Sequence, residues 1–189
     1  MKETQQPEAI ENAVEALPAP QGIGMAVAFD WGLAVQIFVT PITVALFNLP
    51  AEAKFPGLNP TFSNVLLFVV AWPVALGLVL YGEMVRRGRN WARRIQIVAN
   101  ALLSVVGIVQ LVSLFQSIKG GNSWPVVTEV ILVIFSPLIF WRLTRPATAR
   151  WFKKVTVAEA RKRHGGAWPW LIAIWAIVGG VLQAIAAIK

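Results

Sequence analysis

Hydrophobic residues in this chain come in five long blocks, divided by short polar, basic or proline- and glycine-bearing breaks. The blocks run over about 31–49, 64–82, 95–117, 124–141 and 168–188. Each approaches the roughly 20 residues that a helix needs to cross about 30 Å of hydrocarbon. Backbone groups facing lipid must be satisfied within their own segment, so blocks of this length predict helices. The pattern therefore predicts an all-α transmembrane bundle of four to five helices over 23–189, with a short interfacial amphipathic helix and an acidic polar tail over 1–22.

The first block is the weakest. Gln36, Thr40, Pro41 and Thr43 interrupt it, and proline within a helix removes one backbone hydrogen bond that threonine hydroxyls or neighbouring helices can replace. The reading adopted is a kinked crossing helix; a re-entrant or surface helix is the alternative, and would leave four spans. Pro50, Pro56, Gly57 and Pro60 mark the following loop, and Gly120-Gly121-Asn122 a tight turn between the third and fourth spans. Residues 146–164 differ from the rest. Trp151, Phe152, Val155 and Ala158 recur at helical spacing among cationic residues, as in a helix lying in the headgroup plane. Thr156-Val157-Ala158-Glu159 matches a capping box, so a second short helix is expected to start there.

Charge placement orients the bundle. Of 17 Lys and Arg, five fall in 86–94 and eight in 142–163. Arginine is costly in hydrocarbon and favourable beside anionic headgroups, so both connections are expected on the cytoplasmic side of a bacterial inner membrane, together with the N-terminus. Trp31, Trp91, Trp124, Trp141, Trp168 and Trp170 fall near the predicted span ends, where amphipathic rings settle. The formal charge of +8 would suggest nucleic acid in a soluble chain, but its clustering beside apolar blocks points to lipid instead. Residues 1–22 lack the basic start and apolar core of a signal peptide.

Candidate chemistry is sparse. With no cysteine there are no disulfides and no thiolate chemistry. Glu129 lies inside the fourth block, and an ionisable group at membrane depth is a functional candidate by default. Gln96, Asn100 and Ser104 share one face of the third block. They form either the lining of a polar path with Glu129 or hydrogen-bonding glue between helices. Ala173, Ala176, Gly180 and Ala184 make a small-residue seam on the last block, suited to internal packing or to docking a partner subunit. Arg86, Arg87, Arg89, Arg93, Arg94, Lys153, Lys154, Arg161, Lys162 and Arg163 form a candidate basic surface for anionic lipid headgroups or an acidic partner. The one histidine, His164, sits among cations in a stretch expected to be solvated, and is not assigned as a ligand. Asp30 is the one aspartate, so no Ser-His-Asp grouping is assembled, and no catalytic, cofactor or metal site is assigned.

Tyr81 to Arg94, with its Arg-Arg-Gly-Arg-Asn-Trp-Ala-Arg core, resembles a turn found in many small bacterial integral membrane proteins. In those proteins an Arg-Pro segment followed by an aromatic-Phe pair comes after a later span, and Arg145-Pro146 with Trp151-Phe152 is similar to it. The resemblance covers about 64–155 and implies a compact helical bundle. Most such proteins have no assigned activity, so it carries no site. The acidic tail, the proline-bearing first span and the last span are additions. The functional expectation is a non-catalytic accessory or assembly subunit of a larger membrane complex, with photosynthetic and respiratory assemblies as candidate hosts. The alternative is a small oligomeric transporter or channel using Glu129 and the Gln96–Asn100–Ser104 face.

Overall fold

The computed structural model describes residue 20 and residues 22–47, 59–121 and 125–186. The expected tail, the proline-rich loop after residue 48 and Trp124 lie outside them. The described chain is all-helical: α1 Ile23–Leu46, α2 Pro60–Arg86, α3 Asn90–Lys119, α4 Pro125–Val130, a π-helical segment Ile131–Phe135, α5 Ser136–Thr144, α6 Pro146–Lys154, α7 Val157–Arg163 and α8 Trp168–Ala186. Five stretches are long and apolar enough to cross a membrane: α1, α2, α3, the α4–π–α5 unit and α8. Large aliphatic and aromatic side chains dominate the outside of these helices, as in a multi-pass membrane protein, where lipid replaces water as the outer solvent.

The first span is one unbroken helix. It begins at Ile23, eight residues before the expected start, and keeps Pro41 inside it. The Thr40 and Thr43 hydroxyls donate to the carbonyls of Gln36 and Thr40 at 2.7 and 2.8 Å, supplementing the backbone ladder that proline interrupts. Trp31 is accordingly not a boundary residue: its Nε1 donates to the Val79 carbonyl at 3.2 Å, two turns inside the span. The fourth span is not a plain helix either. Pro137 has no N–H and its ring would crowd the carbonyl of residue 133, and the turn just before it widens to the π form. There the Ser136 amide donates to the Ile131 carbonyl, five residues back.

Helix α1 packs between α2 and α8, while α3 packs along the fourth span. Gly24 lies beside Trp168 and Ile172, and Gly32 beside Ala176 and Gly180, so α1 and α8 run parallel. The two groups join at one end through a core of Ile23, Val27, Val85, Ala92, Ile139, Leu143, Trp151, Phe152 and Ala160. Both arginine-rich connections lie at this basic end. Gly88, at φ +73°, turns the α2–α3 connection so tightly that a Cβ there would sit 2.6 Å from Val155 and 3.3 Å from the Trp151 ring. The two segments that carry the sequence resemblance thus touch.

The short helices α6 and α7 follow the expected break, and Thr156 with Glu159 forms the capping box. The Thr156 amide and hydroxyl hold the Glu159 carboxyl below its ordinary range. Their apolar side is turned differently from expectation. Trp151 and Phe152 are buried in the protein core while Ala158 is exposed. The aromatic pair anchors the segment to the bundle rather than to headgroups, because the adjoining ends of α2, α3 and α5 offer it apolar partners in Val85, Ala92, Ile139 and Leu143.

Candidate functional site

Three polar side chains are buried together about two turns in from the basic end. Asp30 of α1 is 3% exposed, Gln96 of α3 1% and Asn100 of α3 0%. Gln96 Nε2 donates to Asp30 Oδ1 at 2.9 Å, a bond between the two helix groups. Asn100 Nδ2 donates to the Gln96 carbonyl at 2.9 Å, and Ser104 Oγ to the Asn100 carbonyl at 2.6 Å. The stripe expected on α3 is therefore real, but two of its three donors are spent on its own backbone. Asp30 Oδ2 and Asn100 Oδ1 are buried acceptors with no donor among the described residues.

Glycine lets α2 close over this cluster. A Cβ at Gly82 would lie 2.8 Å from the Trp31 ring and 3.2 Å from Asp30 Cβ, so α2 reaches Asp30 only because no side chain intervenes. Beside it, the Tyr81 hydroxyl donates to the Ala92 carbonyl at 2.7 Å. Arg93, one turn nearer the basic end, is 9% exposed. Its Nη1 donates to the Leu143 carbonyl at 2.8 Å and its Nε to Asn90 Oδ1 at 3.1 Å, with the guanidinium 5.9 Å from the Phe152 ring centre.

Glu129 is buried too, at 5% exposure, with Oε1 unpartnered. It does not join the cluster. Gly107 faces Leu132 and Arg93 reaches Leu143, so α3 and the fourth span are antiparallel and Glu129 lies level with Gln110. That is ten residues, or about 15 Å, along the axis from Asn100. Glu129 and the Gln96–Asn100–Ser104 face therefore stand at different depths of the bundle.

The small-residue seam is used internally. A Cβ on Gly180 would come within 2.4 Å of the Gly32 carbonyl oxygen and 2.7 Å of Val35 Cβ, so α1 and α8 cross backbone to backbone there. Ala176 and Ala184 are buried beside this crossing, and Ala173 lines a small apolar gap with Trp31 and Val35. This face is filled by α1 and is not open to a partner subunit.

The basic surface divides in two. Arg89, Arg94, Lys153, Lys154, Arg161 and Lys162 are exposed. Arg93 is not, being consumed by the Leu143 carbonyl. Arg86 pairs with Glu83 at 2.5 Å and donates to the His164 carbonyl at 2.7 Å, while Arg87 pairs with Glu83 at 2.7 Å. Arg87 and Arg163 are half-buried. These arginines tie the basic end together. His164 is likewise corrected from solvated to buried, 6% exposed between the rings of Trp151 and Trp168 at 5.7 and 4.8 Å. Burial pushes its imidazole below the usual range, and the neighbouring Arg86 and Arg163 cations act the same way, against the opposing hydrogen bond to the Arg86 backbone.

Sequence reading missed Asp30 as a site residue, because a lone aspartate ahead of an apolar block passes for a flank. Its spacing from Gly22-Ile23-Gly24, one apolar turn and a half on, was the available signal. Pro137 was the signal for the π segment. Among the described residues no three His, Asp or Glu side chains converge on a common point. No protein family model, characterised protein or solved structure matches this chain.

Proposed function

We propose that this protein is a non-catalytic accessory or assembly subunit of a larger membrane complex, held to its partners within the bilayer by α3. One observation carries the reading. Gln110 and Ser113 lie on the half of α3 farthest from the basic end, and both are exposed. Around them Val105, Ile108, Val109, Val112 and Phe115 are also uncovered. Lipid tails satisfy the aliphatic groups but not an amide, whose burial without a hydrogen bond costs several kcal/mol on apolar-solvent scales. A helix from another chain meets both needs. The exposed cations of the basic end would then sit against anionic headgroups or an acidic partner in the cytoplasm of a bacterial cell.

Extraction in mild detergent followed by size analysis tests this. Co-elution with other membrane chains is expected, weakened by Gln110→Leu with Ser113→Ala; elution as a lone monomer overturns the reading.

A second reading, a small oligomeric transporter, is favoured by the unpartnered carboxyl oxygens of Asp30 and Glu129. It requires Glu129→Gln to abolish ion- or proton-coupled flux in vesicles. The distance between the two carboxyl sites speaks for separate roles.

A further inference from the structure

Between α1, the fourth span and α8 lies a half-enclosed cleft of about 470 Å³. Among the described residues its lining contains no charged side chain. Near the basic end it is walled by Met25 and Ile172, and about a turn further along by Phe29, Phe135 and Trp175. Its polar side chains are Gln36, Thr128 and Gln183, one from each wall. They converge in depth. Gly22 and Arg142 are in contact at the basic end, and Trp168 begins α8 there. Gln36, Thr128 and Gln183 lie fourteen, fourteen and fifteen residues from those three markers, or about 21 Å at 1.5 Å per residue.

None of these three side chains makes a hydrogen bond with the described residues. At membrane depth an amide or hydroxyl without a partner is unfavourable. The cleft thus has an apolar length and a neutral hydrogen-bonding end, about 9 Å short of the far side of a hydrocarbon layer about 30 Å thick. The π-helical segment supplies its middle wall through Ile131, Leu132 and Phe135; such wide turns recur at functional sites.

These features select the occupant. A phospholipid entering from the basic end would press its terminal methyls against the three polar groups. A fatty acid would bring a carboxylate to a wall with no cation. A diacylglycerol carries two chains to a cleft of about 470 Å³. We propose that the cleft binds a lipid-soluble quinone, its ring carbonyls accepting from Gln36 Nε2, Gln183 Nε2 and Thr128 Oγ1 and its single apolar tail running toward Phe29 and Ile172. Phe29, Phe135 and Trp175, all seven residues in from the markers, flank the tail rather than the ring. The inference is one of binding, with no electron transfer assigned, and it is independent of the subunit role proposed above.

The test is titration of the purified full-length protein in detergent with decylubiquinone, read by quenching of tryptophan fluorescence and by calorimetry. Saturable binding of one quinone per chain is expected, displaced at least tenfold less well by dioctanoylglycerol, decane or dioleoyl phosphatidylglycerol. The triple variant Gln36→Leu, Thr128→Val, Gln183→Leu should bind at least tenfold more weakly. Gly179→Phe provides a second variant: Gly179 lines the cleft and has no atom within 4 Å of an added Cβ, so a ring fits there and occupies the site. It should abolish binding with helical content and elution volume unchanged. Non-saturable quenching, equal displacement by decane, or wild-type affinity in the Gly179→Phe protein overturns the proposal.

Discussion

A carboxyl group two turns inside α1 is held by a single amide, that of Gln96, and this dependence is measurable. Gln96→Leu removes the one donor and leaves a buried polar group unsatisfied, which costs about 1–3 kcal/mol. Thermal unfolding in detergent should show that loss, and the double variant Asp30→Leu, Gln96→Leu should recover part of it because the orphaned carboxyl is removed as well. Equal losses in the single and double variants would count against the pair. His164 makes a prediction of opposite character, in pH. Its folded-state pKa lies below the unfolded value of about 6.5. The unfolded chain therefore binds more protons between the two values, and stability falls as pH falls through that window. The Tm of the native protein should drop between pH 7.5 and 5.5, and His164→Gln should flatten the drop. At this scale the sequence was least legible. Gln96, Asn100 and Glu129 were identified by type and position, but what each side chain touches depends on helices far away along the chain.

Helices were the most legible features. Apolar length alone located all five spans, and the capping box located the start of α7. What it misjudged were boundaries and faces. The α1 boundary moved outward because Asp30 finds its donor inside the protein, which no count of apolar residues reveals. The seam of Ala176, Gly180 and Ala184 was visible as a surface with two uses, and a contact chose between them. Gly180→Leu should force α1 and α8 apart at Gly32 and cost about 1–3 kcal/mol, as overpacking does. Gly179→Ala, one residue away on open space, should be near neutral. Thermal melts of the two variants side by side distinguish this crossing from a general intolerance of α8 to larger residues.

At the scale of the whole molecule, the helices form two groups joined at the basic end and again where α4 meets α8, with the cleft between them. The arginine-rich connections do more than mark a side. Arg86 reaches the carbonyl of His164, and Arg93 that of Leu143, so cations of one connection close the helix ends of the other. Since the chain contains no cysteine, single cysteines at Arg89 and Lys162 give clean probes. In sealed vesicles both should react with a membrane-impermeant maleimide from the same side. Reaction from opposite sides would separate two connections that share one apolar core and undo the arrangement.

The amino-acid order by itself determined that this protein is helical, that four to five of its stretches are apolar enough to cross a bilayer, and that its cations gather in two connections. Each follows from local energetics: the cost of an unpaired backbone in hydrocarbon and of a guanidinium away from water. Only the tertiary structure decided that Asp30 belongs to the interior, that Arg93 and His164 are structural, that Glu129 stands apart from the α3 stripe, and that Gln36, Thr128 and Gln183 meet at the end of one cleft. Those outcomes rest on contacts between residues 50 to 150 positions apart. Hydropathy weighs each residue against solvent, whereas burial of a polar group is decided by which partner the fold sets opposite it.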